Sequence, residues 1–252
     1  MFKAAVPLIV SSLIFITACS GNYNQDQVPD APAEMLYRDA QSAMAADNLP
    51  KAQLYLEAID SRYPFGELTD QVQLDLIYVY YKRRNNEMTS AAIARFMRLN
   101  PNSQYSDYVA FMKGLNEMQI RGNVIEDFFG LNRSQKDPEH YYEALKIFRD
   151  FIHTYPHSPY VNDARQRILF IKDQLAEREF RIAQYYFERE AFLSCVRHCQ
   201  SILYSYRDTQ YLPMAMALMS EGYERLGLTH AAANTRRVAE NSFNEEELEL
   251  DL

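Results

Sequence analysis

An all-α fold, a solenoid of about five stacked helix pairs, is what this sequence predicts, and three observations predict it. The composition is the first. Among 252 residues there are only seven Gly and no Trp, while nineteen Tyr and fourteen Phe supply bulk for a core. Scarce glycine with abundant Ala, Leu, Glu, Gln and Arg favours helix throughout. The second is a shared ending: "SRYP" at Pro64, "RLNP" at Pro101, "HTYP" at Pro156 and "YSYR" at Arg207. The third is what precedes each ending. Twelve residues back stand Ala52, Thr89, Ala144 and Cys195; eight back, Leu56, Ile93, Phe148 and Cys199; five back, Ile59, Phe96, Phe151 and Ile202. Small, large, large, stop describes a helix that lets a neighbour's backbone approach, fills the groove, and then ends.

This pattern looks like the second helix of a tetratricopeptide (TPR) repeat. Its anchors lie 37, 55 and 51 residues apart, so the repeats are irregular and carry insertions. Residues 1–18 read as a lipoprotein signal peptide: a basic start at Lys3, then an apolar run from Ala4 to Thr17, short for a bilayer span. Cys19 follows small residues as in the bacterial lipobox, where the thiol receives diacylglycerol. Ser20 in place of Asp implies the outer membrane. Residues 19–33 read as a lipidated tether, polar with Pro29 and Pro32, with a reach of ~20 Å.

The N-terminal half, 34–156, is expected to hold three helix pairs. These are about 34–47 with 50–63, 68–84 with 87–99, and 105–121 with 139–154, the last split by an insertion at 121–138. Pro50 suits a helix start. From 160 to 190 there is no Gly or Pro, which predicts one long helix of ~46 Å joining the halves. The C-terminal half, 157–243, would add two repeats through helices near 191–206, 209–226 and 229–243. Residues 244–252 carry five acidic side chains and read as a solvated tail.

Candidate sites follow from this layout. Gln71, Asp75, Tyr78 and Lys82 recur at four, three and four residues and share one helical face; Tyr37 and Gln41 occupy the like face of the first helix. First helices of TPR pairs line the inner side of the solenoid, and tyrosines with polar tips favour interfaces, so these six form a candidate peptide groove. The alternative is an ordinary solvated face. Phe128 and Phe129 stand in the insertion, either tucked into the groove or offered to a partner. Cys195-x-x-His198-Cys199 offers three metal-type ligands where a tetrahedral zinc needs four, and both cysteines fall on packing columns, so core thiols are expected. Arg197 should face outward and, with His198, is a candidate partner contact. There is no Gly-rich phosphate loop, no G-x-S-x-G and no H-E-x-x-H, so neither catalysis nor a cofactor is expected. A formal charge of −8 argues against a duplex nucleic acid partner.

Six stretches carry a closer resemblance: "SRYPFG" at 61–66, "QVQLDLIYVYYK" at 71–82, "RFMRLNP" at 95–101, "DYVAFMKGL" at 107–115, "DFFGLNRSQKDP" at 127–138 and "ILFIKDQLAEREF" at 168–180. Together they resemble the BamD family of outer-membrane lipoproteins in the β-barrel assembly machinery. The likeness spans nearly the whole mature chain and thins after about residue 190. It departs at Tyr206-Arg207, where the family has Tyr-Pro. The resemblance implies a periplasmic scaffold, lipid-anchored to the outer membrane and without a reaction of its own. It would grip the barrel insertase BamA through its C-terminal repeats, alongside other lipoproteins of the complex. Unfolded outer-membrane proteins would dock in its N-terminal groove. The rival reading is a TPR lipoprotein that organises cell-wall or pilus machinery.

Overall fold

The computed structural model describes residues 28–119 and 138–243. Among these it has ten helices: α1 (Ala33–Ala45), α2 (Leu49–Arg62), α3 (Thr69–Lys82), α4 (Asn86–Leu99), α5 (Ser106–Gln119), α6 (Glu139–Thr154), α7 (Val161–Glu188), α8 (Phe192–Ser205), α9 (Tyr211–Arg225) and α10 (Thr229–Ser242). Each packs on the next along the chain, and the first helices of successive pairs also touch, α3 on α5 and α7 on α9. The result is a TPR-like stack of five pairs.

The shared ending recurs as geometry. Tyr63, Asn100, Tyr155 and Tyr206 each stop a helix with φ between −125° and −134°. Each donates its N–H to the carbonyl four residues back, at 2.8–2.9 Å. Proline forbids continuation after the first three. The fourth ends the same way before Arg207, so packing supplies what the missing proline does elsewhere. All twelve column residues are at most 3% exposed, which makes the columns the spine of the core.

A second repeat lies in the turns within pairs. Asp47, Arg84, Glu190 and Gly227 all take positive φ, from 54° to 75°. In each case the next residue's N–H bonds the carbonyl five residues back, as in Asn48 to Ala43 at 2.8 Å and Leu228 to Tyr223 at 2.9 Å. That is a left-handed C-terminal cap of the Schellman kind. Asn48 and Asn85 then cap the following helices, their side chains accepting from Lys51 and Met88.

The core runs in two large bodies that meet at α3, with a small third of Leu212, Met216 and Ala239 between α9 and α10. Leu74 and Ile77 join the one extending to α9, and Val72, Leu76, Val79 and Tyr80 join the N-terminal one with α1 and α2. The long helix is single, as expected; its 28 residues span about 42 Å. It is more than a connector, because it is itself the first helix of the fourth pair, packed on α6, α8 and α9.

Candidate functional site

The polar face of α3 gains its partner from α1. The Tyr37 hydroxyl donates to Asp75 Oδ2 at 2.8 Å, and Gln71 Nε2 donates to Oδ1 at 3.0 Å. Both carboxylate oxygens are therefore engaged, and Asp75 ties two first helices together across 38 residues of sequence. Gln41 stands one turn after Tyr37 on α1. Burial, then the bond to Asp75, raises the Tyr37 hydroxyl above its ordinary pKa. Burial likewise raises Asp75, and the bonds from Tyr37 and Gln71 only partly offset it.

A pH dependence follows. Folded Asp75 holds its proton to higher pH than unfolded Asp75, so stability falls as pH rises from the ordinary carboxylate range through the raised value. Asp75→Asn keeps an acceptor for Tyr37 and cannot ionise, so it is expected to remove that slope. Urea midpoints of both chains from roughly pH 4 to pH 7 check this, and equal slopes would refute it.

Tyr78 and Lys82 continue the face and remain exposed, which leaves a ring and a cation for another molecule. The ridge extends onto helices that the sequence stripe did not include. Tyr108 belongs to α5, which packs on α3; burial raises its hydroxyl first, and the charges of Tyr160, Asp75 and Tyr78 add to this. Its ring lies 5.9 Å from Tyr160, which stacks on Phe111 at 5.0 Å, and Asp107 accepts from Ser158 at 2.7 Å. Tyr108 and Tyr160 were missed because neither sits in a periodic polar run; the excess of tyrosine was the available signal.

Other predicted residues are distributed as follows. Cys195 and Cys199 are buried free thiols. Arg197 is exposed. His198 turns inward, its Nδ1 2.7 Å from Glu179 Oε2 and its ring stacked on Tyr186 at 5.5 Å, so it ties α8 to α7. Cys19, Phe128 and Phe129 lie outside the described residues. Among the described residues no group of three His, Cys, Asp or Glu side chains is placed to hold a metal, and no helix is long and apolar enough to cross a membrane.

Fold and site define a TPR-like helical-repeat protein with a tyrosine- and carboxylate-lined ridge along its first helices. The family profile described as outer membrane lipoprotein, YfiO, matches residues 29–238. The chain belongs to this outer-membrane lipoprotein family. It is similar to the outer membrane protein assembly factor BamD of Vibrio cholerae, 39% identical over 92% of this chain and 94% of that one. The BamD of Pasteurella multocida is 34% identical over 89% and 85%. That of Neisseria meningitidis serogroup A is 32% identical over 94% and 90%.

Proposed function

We propose that this lipoprotein is a non-enzymatic scaffold for assembling outer-membrane β-barrel proteins. Cys19 carries the lipid that holds it to the membrane. Unfolded outer-membrane proteins bind the N-terminal ridge. The C-terminal pairs, with exposed Arg197, hold the insertase BamA beside other lipoproteins of the complex, and the 121–138 insertion with Phe128 and Phe129 meets a partner. The relatives' shared name supports the assembly role. The observation that carries the client site is the Tyr37–Asp75–Gln71 network. It locks α1 against α3 and leaves Tyr78 and Lys82 free to meet an extended segment, a ring with a polar tip beside a cation.

Because Asp75 is spent on positioning, the contact falls to its neighbours. Tyr78→Ala with Lys82→Ala is expected to weaken photocrosslinking of a barrel signal peptide several-fold at unchanged helicity. Unaltered crosslinking removes the ridge as the client site. A pull-down through a tag at Leu252 separates the two partner readings: a barrel insertase supports assembly, whereas peptidoglycan enzymes would support the cell-wall adaptor.

A further inference from the structure

The loop between α2 and α3 exposes Phe65 by 98%, more than any other large apolar side chain among the described residues. Pro64 and Gly66 flank it, and Glu67 beyond is exposed too. The base of the loop is tied down, with both the N–H and the hydroxyl of Thr69 donating to the Gly66 carbonyl, at 3.1 and 2.8 Å. The ring is thus held out on a braced support, where an apolar side chain without a partner gains nothing from water.

The first described residues lie against the same loop. Val28 is buried. The Arg62 guanidinium donates to the carbonyls of Pro29 at 2.8 Å and Val28 at 3.0 Å, and the Tyr63 hydroxyl donates to the carbonyl of Ala31 at 2.9 Å. The incoming segment is therefore clamped on the two residues that open the Phe65 loop. Eight residues lie between Cys19 and Val28, and the nine steps from one to the other extend at most about 30 Å. With lipid on Cys19, as the proposed function requires, this loop cannot stray far from the bilayer surface.

We propose that the Pro64–Phe65–Gly66 tip is a second membrane contact, Phe65 entering the interfacial layer of the lipid next to the tether. Arg62 is occupied by carbonyls, and the exposed ionisable groups that follow, Glu67 and Asp70, are acidic. Attraction to anionic headgroups therefore does not drive the contact; it is apolar and nearly independent of salt. A lipid on a tether leaves orientation free, whereas lipid plus a braced aromatic sets which end of the stack faces the membrane.

The absence of tryptophan makes Phe65→Trp a single reporter in the full lipidated protein. In phosphatidylcholine vesicles its emission is expected to blue-shift relative to the same substitution in the soluble Cys19→Ala chain. Shallow spin-labelled lipid should quench it more than deep label. Tyr204→Trp, 73% exposed on α8, should stay unquenched. Vesicle flotation reports the anchor separately. Protein that floats while its Phe65→Trp indole stays unquenched overturns the loop contact and leaves the anchor standing; protein that fails to float overturns both. An indole that ignores lipid but shifts when a barrel signal peptide is added assigns the loop to polypeptide and overturns the proposal.

Discussion

Phe148→Ala is expected to cost about 3–5 kcal/mol, a large share of the ~5–15 kcal/mol by which a domain is stable. Phe148 has no exposed surface, belongs to the large core body, and packs its ring 5.9 Å from that of Phe111. It sits at the crossing of α5 and α6, the third of five pairs. In a stacked repeat each pair is stabilised by its neighbours, so a cavity here weakens the contact between the two halves. Removing a terminal side chain such as Ala239 would leave that contact intact. The urea midpoint by circular dichroism is the measurement. A loss below ~1 kcal/mol would mean that the crossing collapses around the void and that the column residue is not a spine of the core.

Gly114→Ala is expected to destabilise as well, against the usual trend. In a helix interior alanine ordinarily gains about 0.5–1 kcal/mol over glycine. Here a Cβ at Gly114 would meet the Phe148 ring at 2.5, 2.7 and 2.9 Å. The ring is fully buried and has no solvent to swing into, so overpacking, typically ~1–3 kcal/mol, outweighs propensity. The two substitutions must then couple. In a Phe148→Leu background Gly114→Ala should cost little, and a double-mutant cycle measures the difference. An additive cycle would show that the glycine is needed for something other than the room it leaves. Phe148 thus stands in both the packing column and the close approach that joins α5 to α6.

What could be read in the chain before any coordinates was whatever is local. Helix identity, the buried columns and the helix ends come from spacing of three to five residues and from proline, and these act within one or two turns. Hence Ala144, Phe148 and Phe151 could be assigned to the core from their distance to Pro156. The long helix from Val161 to Glu188 likewise followed from an uninterrupted run. The turns within pairs were less legible. Gly227 marks its left-handed position by residue type, and Asp47, in the Asp47-Asn48 turn, is of a type enriched there. Arg84 and Glu190 adopt it because the next helix must fold back onto its neighbour, and that packing outweighs the steric cost of positive φ.

The candidate ridge divides in the same way. Gln71, Asp75, Tyr78 and Lys82 share a face by helical period alone, and the sequence was enough to say so. That Asp75 is spent on Tyr37 and Gln71 while Tyr78 and Lys82 stay open was decided by how α1 lies on α3. Only the stack sets Tyr108 against Tyr160, turns His198 in to Glu179, and clamps Val28 on Arg62. The physical reason is range. Periodicity and propensity specify each helix and its buried side, whereas a hydrogen bond between residues 38 apart exists only once stacking has brought the helices carrying them together.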